Sequence, residues 1–298
     1  MNADNLRQPL IKQGWIRVLL FFIFYFFLAA IVSLPIVIFF IRSKEGNFDK
    51  SHLSDLLNGK WLWLSLVIAA VLSLIAVFIF RRFVDRKNFM SMGLDLANHG
   101  SDALAGLFLS LAILGTGTVV LYFSGHLQWT DITFDGQDLF IELGMMAIIA
   151  FYEELVFRGY ILNNLMESFN KWIALLISAI LFAIFHLDNP SVNIVAVLNV
   201  FSAGVLLGVN YIYTKNLWFA FLFHFGWNFF EGPILGYKIS GLNTQTLLQT
   251  ELKGDVLLTG GEFGFEGSIF SLALMLITIL LLYWIYEKRE QSAKYNIQ

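Results

Sequence analysis

Apolar and polar residues follow one another along this chain in long blocks rather than in short amphipathic periods. A window of about 20 residues, the length of helix that crosses ~30 Å of hydrocarbon, picks out eight apolar runs. They lie at roughly 18–41, 61–80, 103–123, 139–164, 171–187, 192–213, 217–236 and 267–286. The pattern predicts an all-α fold, a polytopic membrane helix bundle of about eight transmembrane helices forming a single integral membrane domain over 1–298. The first run, Val18 to Ile41, exceeds the apolar core of about 7 to 15 residues typical of a signal peptide and lacks a small-residue cleavage pattern, so a retained helix is expected. Two connections are longer than turns. The stretch 81–102 starts basic and suits the anionic inner leaflet; 237–266 is an extramembrane loop, Gly-rich and net acidic, with Gly260-Gly261 as a hinge if it acts as a lid, although a solvated loop explains it as well.

The run from Leu139 to Leu165 breaks its own pattern with Glu153-Glu154-Leu155-Val156-Phe157-Arg158. Each ionised group near a bilayer centre costs about 2.5–3.5 kcal/mol even on the lenient insertion scale, so these are functional candidates by default. Glu154 and Arg158 are four apart, on one helix face, with the acid nearer the N-terminus as such a pair prefers. Glu153 is turned about 100° away from Glu154. The spacing therefore predicts a structural Glu154–Arg158 ion pair and a Glu153 free to face a cavity.

Composition supports the membrane reading. Of 298 residues 58% are hydrophobic and 14% charged, against a soluble average of about 25% charged, and the mean hydropathy is +0.71. Membrane lipid is the expected surrounding. A formal charge of −3 gives no reason to expect a nucleic-acid partner. The chain has no cysteine, which removes disulfides, thiolate ligands and a cysteine nucleophile. Lys and Arg in alternate connections number twelve on the side of the termini and six on the other, with Arg158 inside a span. The bias predicts both termini in the cytoplasm; the expected location is a bacterial plasma membrane. Trp15, Trp61, Trp63, Trp172, Trp218 and Trp284 fall near predicted helix ends, as interfacial anchors do, and Gly204 with Gly208 forms a small-xxx-small face for close helix packing.

Two further runs carry polar groups at a four-residue period. One ends Phe182-Ala183-Ile184-Phe185-His186; the other holds His224-Phe225-Gly226-Trp227-Asn228, with His224 and Asn228 on one face. An isolated intramembrane histidine is explained by a hydrogen bond between helices, but a carboxylate, two histidines and an asparagine on three runs suggest a converging site. His52, His99 and His126 fall in loops and need no special account. Glu142 sits near an interface and is expected to be wetted; Asn193, Asn199 and Asn210 suit hydrogen bonds between helices, with Asn199 able to reach the cavity. A carboxylate in a dry site can act as general base with an imidazole sharing the proton, and His224 with Asn228 can donate to an oxyanion. The same Glu153, His186 and His224 also make a familiar Zn²⁺ set. Both readings stay open.

Glu-Glu-x-x-x-Arg at 153–158, Phe-x-x-x-His at 182–186 and His-x-x-x-Asn at 224–228, in this order on successive runs, resemble the signature of the CAAX protease and bacteriocin-processing family of intramembrane proteases, also called the Abi or CPBP family. The resemblance covers about 100–236. It implies a membrane-embedded endopeptidase acting on membrane-associated proteins or peptides, prenylated in the eukaryotic members. By resemblance Glu153 is the essential glutamate, His186 its water-activating partner, and His224 and Asn228 the oxyanion pair, with Glu154, Arg158 and Phe182 in support. The family is described both as metalloproteases and as metal-independent glutamate enzymes. Other intramembrane designs are missing: there is no His-Glu-x-x-His, no Gly-x-Gly-Asp and no Gly-x-Ser-x-Gly, and Ser124-Gly125 lacks a following histidine in a helical setting.

One expectation strains. If every run crosses the bilayer, Glu153 lies about 21 Å from the outer start of its helix at 1.5 Å per residue, while His186 lies at the outer end of its own. The rivals to an enzyme are a bacteriocin-immunity or scaffold protein that keeps these residues for packing, and a proton-coupled transporter that uses them as a relay.

Overall fold

The computed structural model describes residues 8–43, 59–97 and 99–295. His52 lies outside the described residues, and so does the side chain of Trp61. The chain forms two compact units, 1–91 and 92–298.

In the first unit two helices, α1 (Gly14–Ser43) and α2 (Gly59–Ile79), pack side by side, and α2 runs on into a π-helical turn at Phe80–Val84. Buried Asp85 accepts from Arg17 at 3.1 Å and from Arg81 at 3.0 Å, a bridge that ties the two helices together where all three charged groups are out of water.

The second unit contains α3 (Gly100–Phe123), β1 (Leu127–Ile132), α4 (Gly136–Glu154), α5 (Lys171–Ile184), α6 (Ile194–Thr214), α7 (Trp218–Phe229), β2 (Leu248–Leu252) and α8 (Ile269–Tyr295). Between α4 and α5 the chain continues through a π-helical segment, Leu155–Leu162, and one α-turn, Asn163–Leu165. The N-termini of α4, α5 and α6 are capped by Asp135, Asn170 and Asn193, each side chain accepting from two backbone N–H groups. α6 packs on α5 through the predicted glycines: a Cβ at Gly204 would stand 3.0 Å from Ala179, and one at Gly208 2.3 Å from Leu175.

The helical membrane bundle is as expected, and by length and composition five of the eight predicted runs qualify as full spans. Five helices among the described residues are long and apolar enough to cross a membrane: Gly14–Pro35, Trp63–Val84, Gly100–Phe123, Ile194–Thr214 and Ile269–Ser292. The other three predicted spans fall short for physical reasons. α4 is continued without a break by the π segment and the α-turn to Leu165, but it carries Asp138, Glu142, Glu153 and Glu154. α5 has 14 residues, and α7 has 12 plus 5 in its π-helical continuation at Phe230–Ile234, about 21 Å and at most about 26 Å at 1.5 Å each against ~30 Å of hydrocarbon.

Nor did hydropathy anticipate β1 and β2, which pair antiparallel from Leu127↔Leu252 to Ile132↔Leu248 with an irregularity between Trp129 and Asp131. The strands sit in connections, where a 20-residue window averages their alternation away. The segment 237–266 is built into the unit rather than trailing from it. It supplies β2, buries Phe263 and Phe265, and ties Gly241 N–H to the Phe263 carbonyl at 2.9 Å.

Candidate active site

The hairpin that follows α4, with the short α5 and α7, brings the polar residues together. The π segment, Asn163–Leu165 and the turn at 166–170 join α4 to α5 as a hairpin. Glu153 stands 17 residues before Asn170, and His186 stands 15 residues after Lys171. Measured from their shared turn the two residues are at similar height. The conflict in depth disappears because it assumed that each helix crosses the whole bilayer.

Glu154 and Arg158 form the predicted ion pair, Nη1 to Oε1 at 2.8 Å, each 1% exposed. Arg158 donates a second bond from Nη2 to the Gly204 carbonyl at 3.2 Å, and its guanidinium lies over the Phe182 ring, 4.5 Å from the centroid. The pairing is not exclusive, however. His224 Nδ1 is 2.9 Å from the same Glu154 Oε1, so one carboxylate oxygen binds an arginine on its own chain segment and a histidine 70 residues away.

Glu153 points elsewhere. Its Oε1 accepts from the Tyr152 hydroxyl at 3.3 Å, whereas its Oε2 is buried and has no hydrogen-bond partner. Two imidazoles face that oxygen: His186 Nε2 and His224 Nε2 each stand 4.0 Å from it. The three side chains keep 11–18% exposure, so the site is lined by protein but not sealed. Phe182 forms its floor, with ring centroids 4.6 Å from His186 and 6.2 Å from His224. Asn228 is buried one helical turn beyond His224 on α7.

Hydrogen bonding assigns the tautomers. His186 Nδ1 is 2.8 Å from the Phe182 carbonyl, which can only accept, so Nδ1 carries the proton and Nε2 presents a lone pair toward Glu153. His224 Nδ1 faces a carboxylate already paired with Arg158, so it too is the donor. His224 Nε2 can then give a hydrogen bond only when the ring is an imidazolium.

The donor types suit zinc but their spacing does not. Ligand atoms at about 2.0–2.2 Å from a tetrahedral zinc lie about 3.4 Å from one another, against 4.0 Å for both imidazoles here. Among the described residues no group of three or more His, Cys, Asp or Glu is arranged to hold a metal ion.

Other sequence candidates resolve away from the site. Asn199 does not reach the cavity: its amide donates to the Ser268 carbonyl at 2.9 Å and to Val195 at 3.2 Å. Glu142 is not wetted; it is 1% exposed and accepts from Gln245 N–H at 3.0 Å. Asn210 donates to the Tyr286 hydroxyl, tying α6 to α8, and His99 and His126 pair locally with Asp102 and Ser124. The sequence reading missed Tyr152, whose aromatic ring looks like one more apolar residue in a span, and the Gly204 carbonyl, a backbone group that side-chain spacing does not register.

Comparison with known proteins falls on the same part of the chain. Residues 136–230, the stretch that holds all three motifs, match the family model described as Type II CAAX prenyl endopeptidase Rce1-like. The family expected from the motifs is the family matched. The Rce1-like stretch runs from the first residue of α4 to one residue past α7, so every residue of the candidate site lies within it. The chain is also 26% identical over 230 residues to the Putative membrane peptidase YdiL of Bacillus subtilis (strain 168), covering 74% of this chain and 87% of that protein. No solved structure matches it significantly.

Proposed function

We propose that this protein is an intramembrane endopeptidase that hydrolyses peptide bonds of membrane-associated proteins or peptides by a glutamate-activated water. The observation that carries the reading is the unpartnered Oε2 of Glu153 with two histidine Nε2 atoms facing it at 4.0 Å. A buried polar atom left without a partner needs an explanation, and a water held between carboxylate and imidazole supplies one. The Rce1-like match supports the same class of chemistry.

In this mechanism Glu153 removes a proton from the attacking water while His186 Nε2 shares it. The hydroxide adds to the scissile carbonyl. As the oxyanion forms, His224 as an imidazolium donates from Nε2, and the Asn228 amide donates beside it; such preorganised donors are worth roughly 10²–10³ in rate each. Glu153 then passes its proton to the departing amine, and the site returns to its starting state. Glu154 accepts from His224 Nδ1–H and so fixes the orientation of the ring, and Arg158 holds the Glu154 carboxylate in place.

The test is to incubate the purified protein in detergent with prenylated and unmodified peptides and to identify products by mass spectrometry. Wild type should give discrete fragments. Glu153→Ala, His186→Ala and His224→Ala, each folded by melting temperature, should lower cleavage by at least about 10²-fold. Retained cleavage in any of them removes that residue from the mechanism, and flux of protons or solute in liposomes without peptide products would favour the transporter. A zinc-bound form of the site requires the three side chains to draw in by about 0.6 Å. Stoichiometric zinc by elemental analysis of active enzyme would establish that form instead.

A further inference from the structure

The costliest polar group that the proposed mechanism leaves unused is Glu231. It is 0% exposed, sits on the π-helical continuation of α7 at Phe230–Ile234, and has one oxygen with no partner. Its other oxygen, Oε1, accepts the backbone N–H of Glu266 at 3.2 Å. The Glu266 carboxylate is itself engaged at both ends. Its Oε1 accepts the Trp227 indole N–H at 2.8 Å, and its Oε2 accepts the Ser240 hydroxyl. One residue of the 260–267 strap thus holds the two residues that bracket Asn228, Trp227 on one side and Glu231 on the other.

The strap is itself firmly seated. The Phe265 ring lies between Trp227 and Tyr237, with centroids 6.3 and 5.9 Å away, and fills the notch at Gly117 of α3, where a Cβ would stand 2.0 Å from a ring atom. Gly264 has φ +102°, and a Cβ there would stand 1.9 Å from the Lys238 carbonyl, so no other residue fits without the strap moving. Beside it Lys238 pairs with Glu262. An apolar cover would bury this surface without a fully buried carboxyl, whereas here the polar bonds converge on the turn of α7 that carries Asn228. These residues, 231 to 267, lie outside the Rce1-like stretch and hold none of its motifs.

We propose that the 260–267 strap is a clamp on α7, and that Glu266 and Glu231 are positioning residues that hold the Asn228 amide in place for the reaction. The holding is a property of the fold; its catalytic consequence rests on the peptidase reading above. Displacing a donor by an ångström is enough to cost on the order of 10²-fold in rate, so a clamp released at one of its bonds should be visible in kcat.

The test compares Glu266→Ala, Trp227→Phe and Glu266→Gln in the full chain, by hydrogen exchange of the amides of 224–231 and by peptide cleavage. Glu266→Ala and Trp227→Phe should raise that exchange and lower kcat by about 10-fold with little change in KM. Glu266→Gln keeps an oxygen for the indole and should recover most of the loss. Combined with Asn228→Ala, Glu266→Ala should cost nothing further, because the residue through which it acts is gone. Unchanged exchange overturns the clamp whatever the cleavage assays show. Raised exchange with the same fractional loss in both backgrounds overturns its action through Asn228. A wild-type protein that cleaves no peptide refutes the peptidase reading, and exchange then decides the clamp alone.

Discussion

At the scale of single residues, Glu154 is the hinge of the site. Its pairing with Arg158 was legible from an i, i+4 spacing; its bond to His224 was not, because periodicity on one helix says nothing about a partner 70 residues away. The two bonds can be separated by substitution. Arg158→Met removes the arginine from the buried Glu154 carboxyl and leaves it His224 alone, and should cost up to about 3–5 kcal/mol, read as a lowered melting temperature in detergent. Adding Glu154→Leu removes the stranded charge and should restore most of that stability. Cleavage should stay low in the double variant, since His224 Nδ1–H has lost its acceptor. Full activity alongside restored stability would show that Glu154 serves the fold alone.

Among the elements, the departures from the eight-span reading are what build the site. Hydropathy located every helix that contributes a residue but assigned each a full crossing, because a run of apolar residues does not reveal where the backbone stops being α-helical. The π segment at Leu155–Leu162 begins one residue after Glu154, in keeping with the frequent placement of such segments at functional sites. Its Phe157 carbonyl takes a bond from the Ser178 hydroxyl on α5 at 3.1 Å, so the irregular backbone is satisfied by its hairpin partner. That α6 takes a close helical neighbour, by contrast, was readable from Gly204 and Gly208, although the identity of that neighbour as α5 was not. Gly204→Leu should separate these helices, displace the carbonyl that holds Arg158, and reduce both melting temperature and cleavage; Gly115→Leu, where a Cβ meets nothing within 4 Å, is the control and should change neither appreciably. A variant at 204 with wild-type stability and activity would mean that the close contact with Ala179 is dispensable.

In the molecule as a whole, chemistry and support come from different parts of the chain. The catalytic candidates occupy 153–228, and the proposed clamp is the 260–267 strap at the end of 237–266, a segment that composition alone could describe only as acidic and Gly-rich. Its structure was hidden from the sequence because its bonds run to distant helices: Phe265 into the Gly117 notch, Glu266 onto Trp227. The hairpin around 166–170 also determines where this chain can change in length. One residue inserted between Lys171 and Phe182 would turn His186 by about 100° around its helix and carry it off Glu153. The same residue inserted in the turn itself, where most positions are at least partly exposed and no helix phase is fixed, could be absorbed as a slightly larger loop. Related chains that preserve this chemistry should therefore keep the two arms at constant length and vary at the bend, which makes the bend the place to insert a probe or tag without disturbing the site.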